Sequence, residues 1–426
     1  MDRYQEILSS LFTRFPSVQK EGFGSASYKP GLQHMLDFDK ALGSPSIRLK
    51  TIHVAGTNGK GSVSSMLASC LAAEGYRVGL FTSPHLFDFR ERMRIVEDGG
   101  TVLIPKEKVL DFIGKWSPVF DSLDLSFFEI TTGMAINWFV EEDVDIAVME
   151  VGLGGRLDST NIIVPELSVI TSIGLDHCAQ LGGTRALIAG EKAGIFKPGV
   201  PALVWGVDEE TLPVFEDRAQ TLHCPLFFAD EYVEECGLEI PDRSGFDLPG
   251  EYQESNVTTV LAALDILGFE ADVDALRNTA ARSGLRGRWE KLCSSPTVIC
   301  DIGHNPPALE RNFGQLRKAM ENGNYSSLII VYGVMADKAL SDIIPLMPHD
   351  AEYVFVTPDT PRALPSREIE ARFSAAFPDA ASSSHSTVAE GLAYALTSAP
   401  ANALVYVGGS TFVVSEAIKY FENEKL

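Results

Sequence analysis

The 426-residue chain has no apolar run long enough to span a bilayer, and charged side chains interrupt residues 1–24, where a signal peptide would be apolar. Its six cysteines are scattered and include no Cys-x-x-Cys pair. This spacing argues against a zinc site or a disulfide framework and favours buried free thiols. We therefore expect a cytoplasmic protein that does not interact with membranes.

Basic residues are also few, with 35 Lys and Arg against 58 Asp and Glu and a formal net charge of −23. A field of this sign repels nucleic acid and anionic lipid, so neither is an expected partner. An anionic small-molecule substrate must instead be held by a local group of cations and amides. No segment is typical of a subunit interface, and we expect a monomer.

Apolar runs bounded by turn residues alternate with helical patterns, which predicts parallel α/β layers. The length favours two domains, and the pattern restarts near residue 293, so we predict domains over residues 1–292 and 293–426. The predicted strands cover residues 50–54, 78–81, 145–151, 167–173, 202–204, 297–302, 326–332, 353–356 and 403–407. The predicted helices cover residues 62–74, 367–376 and 387–396, with another after Pro306. Residues 380–386 are predicted to form a short polar loop.

A glycine-rich segment follows the first predicted strand and precedes a helix, which is typical of a phosphate-binding loop. Glycines let successive amides point inward, a lysine neutralises phosphate oxygens, and a serine hydroxyl can bind Mg²⁺. The alternatives are a plain flexible turn, a GTPase, which should carry an Asn-Lys-x-Asp motif, and a Rossmann loop over residues 152–157. The predicted ATP-binding residues of this loop are Gly56, Thr57, Asn58, Gly59, Lys60, Gly61 and Ser62.

Several further segments follow this loop in a fixed order: residues 82–86 (TSPHL), 91–92 (ER), 150–161 (EVGLGGRLDSTN), 175–177 (LDH), 191–195 (EKAGI), 301–306 (DIGHNP) and 337–338 (DK). Together with the loop, they resemble the folylpolyglutamate synthase and dihydrofolate synthase family of the Mur ligase superfamily. The resemblance implies an N-terminal P-loop domain with a parallel sheet, like the central domain of Mur ligases. It also implies a smaller, Rossmann-like α/β domain at the C-terminus.

The resemblance implies an enzyme that uses ATP and two Mg²⁺ ions. This enzyme joins L-glutamate to dihydropteroate or to a folate through an acyl phosphate. One alternative is a Mur-type ligase acting on another carboxylate, but that class should carry an additional N-terminal domain, and the loop already begins at Gly56. The other alternative is a catalytically silent nucleotide-binding relative. A silent relative has no need to retain Lys60, Glu150, His177 and Lys192 together.

The resemblance assigns metal binding to Ser83, Glu150, His177 and Lys192, the last as a carbamylated lysine. It assigns catalytic roles to Lys60, His177 and Lys192. Taken alone, Glu150 is an acid at a strand end and Lys192 is a lysine on a helix face. His177 alone is either a loop histidine or a general base. Carbamylation requires a neutral amine, so the site must lower the pKa of Lys192 from its ordinary value near ~10.4.

The resemblance also assigns ATP contacts to Asn256, Arg288, Asp301 and His304. Arg286 stands where the family has a proline, directly before Gly287 and Arg288, and it either adds a cation or faces solvent. The segment containing Asp301 and His304 has an alternative interpretation as a helix N-cap before Pro306.

For the substrate, the resemblance points to Arg92, Phe128 and Asp158. An aromatic face stacks on a pterin ring, and a carboxylate accepts hydrogen bonds from its N–H donors. For Phe128 the alternative is ordinary core packing. The segment Tyr28 to Leu32 is also similar to a family segment near this pocket.

Overall fold

The computed structural model describes residues 3–24 and 27–423. Met1 and Asp2, the first residues of the charged N-terminal segment, lie outside the described residues, as do Ser25, Ala26 and residues 424–426. The chain divides into two compact units. The first comprises Met1–Asp247 and Gln253–Leu285, and the second comprises Leu248–Tyr252 and Arg286–Leu426.

The border between the units differs from the predicted division at residues 292 and 293 in two ways. A strand at Glu290–Ser294 pairs antiparallel with Thr297–Cys300, so the residues just before 293 belong to the second unit. Leu248–Tyr252 also packs there, because Tyr252 Oη donates to Asp301 Oδ2 at 2.6 Å and Lys318 pairs with Glu251 at 2.6 Å.

Unit 1, as far as it is described, contains an eight-stranded sheet in the order β4-β3-β2-β5-β1-β6-β7-β8. All neighbours pair in parallel except β2 with β3 and β3 with β4. The predicted parallel α/β fold is confirmed, and the antiparallel edge is an addition to it. The strands are β1 (Thr51–Ala55), β2 (Val78–Phe81), β3 (Met93–Glu97), β4 (Gly100–Leu103), β5 (Ile146–Glu150), β6 (Leu167–Ile170), β7 (Ala202–Val204) and β8 (Leu226–Phe228).

Every residue of the central strands β1, β2, β5, β6 and β7 is buried. Helices therefore cover both faces, as parallel sheets require. The helices of unit 1 are α1 (Arg3–Arg14), α2 (Val18–Glu21), α3 (Gln33–Ala41), α4 (Lys60–Ala73), α5 (Lys106–Ser122), α6 (Phe127–Glu141), α7 (Cys178–Leu181), α8 (Arg185–Ala193), α9 (Leu212–Leu222), α10 (Ala229–Glu235), α11 (Gln253–Leu267), α12 (Val273–Arg277) and α13 (Thr279–Ser283). Short 3₁₀ turns occur at Pro45–Arg48, Phe89–Arg92 and Ser159–Ile162.

Helix α4 starts at the predicted phosphate loop and is buried on all sides from Gly61 to Ala72. It packs against the sheet and against α11, α12 and α13. Its small serine and alanine side chains permit this close approach, and a helix buried all round is held by tertiary packing rather than by an amphipathic face. The loop preceding α4 is therefore attached to a rigid element.

Unit 2, over its described residues, contains a six-stranded sheet in the order β13-β12-β11-β14-β10-β9. It is parallel except for the pairing of β9 with β10. Its strands are β9 (Glu290–Ser294), β10 (Thr297–Cys300), β11 (Leu328–Tyr332), β12 (Glu352–Val356), β13 (Ser382–His385) and β14 (Leu404–Gly408). Its helices are α14 (Pro306–Glu321), α15 (Leu340–Ile343), α16 (Ser366–Ala376), α17 (Val388–Ser398) and α18 (Thr411–Asn423), with a 3₁₀ turn at Ile344–Leu346.

The prediction of a polar loop at residues 380–386 is wrong, because Ser382–His385 forms β13 and pairs in parallel with β12. The strand lies at the sheet edge and all four of its residues are half-buried. Three serines and a histidine suit such an edge, so the sequence lacks the apolar pattern that identifies interior strands.

All six cysteines are free thiols, but only Cys70 and Cys300 are buried, so the expectation of buried thiols holds for two of the six. Among the described residues, no helix combines the length and apolarity needed to cross a membrane.

Candidate functional site

The loop between β1 and α4 has two positions at which only glycine fits. Gly56 has a φ of 152°, and a Cβ there would lie 1.9 Å from Thr171 Oγ1. Gly59 precedes α4 with a φ of 93°, and a Cβ there would lie 2.4 Å from Asn256 Oδ1. The first amides of α4 have no acceptor within the helix, so they and the helix N-terminus provide an anion-binding site.

The same loop is tied to the segment that follows β6, the neighbour of β1 in the sheet. Ser172 accepts the Thr57 N–H at 2.7 Å through its carbonyl and the Asn58 N–H at 3.1 Å through its hydroxyl. Thr171 Oγ1 donates to the Asn58 carbonyl at 2.6 Å. Thr171 and Ser172 are not among the predicted site residues, although polar residues just after a buried parallel strand are a usable signal.

Two lysine ammonium groups meet on one carbonyl oxygen of this loop. Lys60 Nζ lies 3.0 Å from Gly56 O and 3.2 Å from Thr57 O, and Lys192 Nζ, from α8, lies 2.8 Å from Gly56 O. Burial first, and then the charge of Lys60, lower the pKa of Lys192 from 10.5 to about 7. The lowered pKa that carbamylation of Lys192 requires, which the sequence could not reveal, is therefore present. A large part of the Lys192 amine is uncharged near neutral pH.

Ser62 and Asn256 are joined by a residue that is not among the predicted ones. Gln253, fully buried at the start of α11, donates to Ser62 Oγ at 3.2 Å and accepts from Asn256 Nδ2 at 2.7 Å. Because residues three apart lie on one helix face, Gln253 and Asn256 face the loop together. The predicted Asn256 thus lies beside the phosphate loop.

Glu150 and Ser83 are adjacent because β5 lies between β1 and β2 in the sheet. Glu150 is the last residue of β5 and is 3% exposed. Its Oε2 accepts a hydrogen bond at 3.1 Å from the N–H of Ser83, which lies just beyond the end of β2. The carboxyl ends of β1, β2 and β5 therefore bring the phosphate loop, Ser83 and Glu150 to one edge of the sheet.

His177 follows β6 along the chain and adopts a left-handed backbone with a φ of 52°. Its N–H donates to Asp176 Oδ1 at 2.9 Å, its Nε2 lies 3.7 Å from Asp176 Oδ2, and its ring contacts Phe23 with centroids 5.2 Å apart. Asp176 also raises the pKa of Lys192, opposing the larger effect of burial. His177 thus belongs to the same β6 segment as the residues that hold the phosphate loop.

Within the described residues, no group of three or more His, Cys, Asp and Glu side chains could hold a metal ion by itself. A Mg²⁺ ion usually takes one or two carboxylates from the protein and completes its shell with water and phosphate oxygens. A single buried carboxylate, Glu150, at the edge that carries the phosphate loop fits this ion. The residues therefore suit a magnesium ion that binds together with nucleotide.

The predicted substrate residue Arg92 is almost fully buried, and its guanidinium is used inside the protein. Arg92 Nε donates to His85 Nδ1 at 2.9 Å and Nη2 donates to Gln19 Oε1 at 2.8 Å. The guanidinium also lies over the Phe127 ring, 5.4 Å from its centroid. Burial lowers the pKa of Arg92 to about 10. Arg92 therefore joins α2 to the segment after β2.

Phe128 and Asp158 lie on either side of the glycine turn that follows β5. The Phe128 ring covers Gly152, where a Cβ would meet Cζ at 2.5 Å. The buried Asp158 carboxylate accepts from Leu153 N at 2.9 Å, Thr160 N at 3.0 Å and Thr160 Oγ1 at 2.5 Å. Burial raises the pKa of Asp158 despite these bonds. Both residues shape this turn, and their contact with substrate stays a prediction.

In unit 2, the predicted ATP contacts Arg288, Asp301 and His304 come from two neighbouring loops. Asp301 follows β10 and accepts from Gly303 N at 2.7 Å and Trp289 N at 2.9 Å, which connects the loops. His304 Nδ1 lies 3.0 Å from Ile302 O, and Asn305 caps α14. The helix N-cap expected from the sequence is therefore present, on Asn305.

Arg286, which stands where the family has a proline, does not simply face solvent. Its guanidinium pairs with Glu290 at 2.6 Å and with Glu422 at 3.0 Å, and these two carboxylates raise its pKa. The additional cation is therefore neutralised within unit 2.

Residues 287–411 match the family model described as Mur ligase, glutamate ligase domain. The dihydrofolate synthase/folylpolyglutamate synthase of Bacillus subtilis is 33% identical over 393 residues, which cover 84% of this chain and 89% of that protein. The solved structure of E. coli FolC in complex with DHPP and ADP has a TM-score of 0.82 and 27% identity, and the match covers 100% of this chain and 99% of that one. The bifunctional folylpolyglutamate synthase/dihydrofolate synthase of Yersinia pestis, complexed with AMPPNP and Mn ion, has a TM-score of 0.81 and 26% identity, and the match covers 99% and 98% of the two chains.

These matches, over nearly the whole chain, agree with the phosphate loop, the buried lysine and the carboxylate found at one sheet edge. They favour this family over the alternative of a Mur-type ligase of another class. This chain belongs to the dihydrofolate synthase/folylpolyglutamate synthase family of ATP-dependent ligases, which join glutamate to folates.

Proposed function

We propose that this enzyme joins L-glutamate both to dihydropteroate and to tetrahydrofolyl-glutamates in a single active site. The observation that carries the proposal is the meeting of Lys60 and Lys192 on Gly56 O, at the sheet edge that also carries Glu150. A cationic loop lysine, a second lysine whose lowered pKa permits carbamylation, and a buried carboxylate suit a reaction that brings the anionic ATP, Mg²⁺ and a carboxylate substrate together.

In the proposed reaction, ATP transfers its γ-phosphoryl group to the acceptor carboxylate and leaves as ADP. The neutral amine of glutamate then attacks the acyl phosphate, and the amide forms as inorganic phosphate and a proton are released. The amides at the start of α4 hold the phosphates, and Lys60 exchanges its two loop carbonyls for phosphate oxygens. Gly56 and Gly59 keep the loop in the shape that allows this approach. The bonds from Thr171 and Ser172 keep the loop in place before ATP arrives, which reduces the entropy lost on binding.

Magnesium, when bound, neutralises charge on the transferred phosphoryl group. Ser83, Glu150 and His177 would hold one ion, and Lys192, as a carbamate, would support a second. Histidine is an unusual ligand for Mg²⁺, which prefers oxygen. Arg288 of unit 2 contacts ATP, and Phe128 and Asp158 border the pterin.

We predict that Lys192 carries a carbamate. Its amine reacts with CO₂ to form a carboxylate and releases one proton, and the remaining N–H can still donate to Gly56 O. With a pKa of about 7, about half of Lys192 is neutral at pH 7, against about one part in three thousand at its ordinary value. In ¹³C NMR with ¹³C-bicarbonate, a carbamate signal should therefore appear and grow from about pH 6 to pH 8.

The control is Lys192→Met, which should lack this signal while the slower-forming surface carbamates stay unchanged. Lys60→Met should weaken the signal near pH 7, because the charge of Lys60 helps to lower the pKa of Lys192. A signal of equal strength in Lys192→Met would contradict the assignment.

The proposed substrates are tested by phosphate release from ATP with Mg²⁺ and glutamate, adding dihydropteroate or tetrahydrofolate separately. Release with each acceptor, together with a product one glutamate heavier, is expected. Release with tetrahydrofolate alone would restrict the enzyme to polyglutamylation, and release with neither would reject the folate substrates. A monomeric state and a cytoplasmic location stay predictions, checked by light scattering and cell fractionation.

A further inference from the structure

We propose that Tyr252 is a positioning residue for ATP: its hydroxyl holds Asp301, and Asp301 holds the Gly287–Trp289 turn that presents Arg288. This inference rests on the proposed contact between Arg288 and ATP. It adds a residue that lies outside every segment on which the family resemblance depends.

The Asp301 carboxylate accepts four hydrogen bonds within unit 2. Its Oδ1 accepts from Gly303 N at 2.7 Å and from Asn312 Nδ2 at 2.8 Å. Its Oδ2 accepts from Trp289 N at 2.9 Å and from Tyr252 Oη at 2.6 Å. A carboxylate has about four acceptor positions, and Asp301 is 3% exposed. Asp301 is therefore fixed in place, and it fixes the loops that it holds.

The turn that carries Arg288 has an unusual backbone conformation. Arg288 lies between two left-handed residues, Gly287 with a φ of 71° and Trp289 with a φ of 50°. A bulky residue such as tryptophan rarely adopts a positive φ, so the surrounding contacts must hold it there. The bond from Trp289 N to Asp301 does this at one end, and Ile302 N donates to Gly287 O at 3.0 Å at the other.

The Arg288 side chain itself is only weakly held. Its Nη1 lies 3.5 Å from the carbonyl oxygens of Arg286 and Gly287, at the limit of hydrogen bonding. The direction of the guanidinium is thus set mainly by the backbone of the turn. A change at Asp301 would consequently move Arg288.

Tyr252 is a fixed hydrogen-bond donor to Asp301. It ends the segment Leu248–Tyr252, whose other contacts in unit 2 include Glu251 N with Gln315 Oε1 at 2.9 Å. Burial, and then the Asp301 charge, raise the pKa of the Tyr252 phenol well above its ordinary value, so the hydroxyl keeps its proton. It donates to the same oxygen that accepts Trp289 N, so the loss of this bond bears directly on the turn.

The test is Tyr252→Phe, which removes only the hydroxyl. Hydrogen bonds to charged groups are among the stronger ones, and we expect the KM for ATP to rise about tenfold. The KM values for glutamate and the acceptor should stay within about twofold, because Tyr252 acts only through Arg288. The matched control is Tyr353→Phe, a buried tyrosine of unit 2 whose hydroxyl donates to Pro348 O at 2.8 Å; its KM for ATP should not change.

A double-mutant cycle with Arg288→Ala separates the inference from the proposed function. If Tyr252 acts through Arg288, the double variant should have the same KM for ATP as Arg288→Ala alone. Additive effects, or an unchanged KM for ATP in Tyr252→Phe while Arg288→Ala raises it, would overturn the inference but not the role of Arg288. An unchanged KM in Arg288→Ala would overturn both.

Melting temperatures of all variants show whether folding interferes. If Tyr252→Phe melts well below Tyr353→Phe, ATP affinity is measured by calorimetry at a temperature at which both are folded. Affinity equal to that of Tyr353→Phe under those conditions would also overturn the inference.

Discussion

Replacing Lys60 with methionine is expected to lower kcat/KM for ATP by about a thousandfold or more. This is the largest expected effect of any single substitution. The ammonium is proposed to leave Gly56 O and Thr57 O for the phosphates, and one preorganised charge at a transferring phosphoryl group has an effect of this order. Steady-state phosphate release with saturating acceptor and glutamate measures it. The main loss should be in kcat, because charge on the phosphoryl group develops in the transition state.

The fold should tolerate this change. Gly56 O keeps its bond from Lys192 Nζ at 2.8 Å. Thr57 O loses its bond from Lys60, but Thr57 is only half-buried, so water can replace that donor. Lys108→Met is a control for the loss of a lysine charge, because Lys108 is a surface residue paired with Glu141 at 3.1 Å. A Lys60→Met variant with nearly normal kcat would refute the proposed role of the loop lysine.

Replacing Glu150 with glutamine is expected to give the second largest loss, about a hundredfold or more in kcat/KM at limiting Mg²⁺. Glutamine keeps an oxygen that can accept the Ser83 N–H, so the strand end should remain intact. It lacks the charge that attracts the ion. Raising the Mg²⁺ concentration should therefore recover part of the activity, and the Mg²⁺ concentration for half-maximal rate should increase.

Asp39→Asn is the matched control for Glu150→Gln, since Asp39 is also a buried carboxylate. The Asp39 carboxylate accepts hydrogen bonds from Ser46 N at 3.1 Å and from Ser46 Oγ at 2.8 Å. These bonds join α3 to the 3₁₀ turn that follows it. This variant should lose stability rather than change its dependence on Mg²⁺. If the two variants shift the Mg²⁺ dependence equally, Glu150 is not a metal ligand.

The interior strands were predictable from the sequence because apolar runs such as those of β2 and β7 are bounded by turn residues, and both match the predicted bounds. The edges were not. β13 is Ser-Ser-Ser-His, and its strand conformation depends on pairing with β12 rather than on its own pattern. The segment Leu248–Tyr252 belongs to unit 2 through contacts with residues far along the chain, which no local pattern reveals.

Site residues were predictable from the sequence where their role depends on neighbouring residues in the chain. The glycines of the phosphate loop are required by backbone conformations at Gly56 and Gly59, and those requirements appear directly as residue types. Gln253 was not predictable, because its role depends on α11 packing beside α4. Asp301 was predicted as an ATP contact, but whether its carboxylate is already occupied depends on Tyr252, Trp289, Gly303 and Asn312.

By itself, the sequence determined the α/β class, the glycine-rich loop before α4 and, through the ordered segments, the family. These are properties of residue types at short spacing, where sterics and periodicity act along the chain. Only the tertiary structure decided the environment of Lys192, which lies 136 residues from Gly56 in sequence yet shares its carbonyl with Lys60. Burial and a neighbouring charge set the pKa of that lysine, and both arise from the order of the strands in the sheet and the packing of α8, which no local segment encodes.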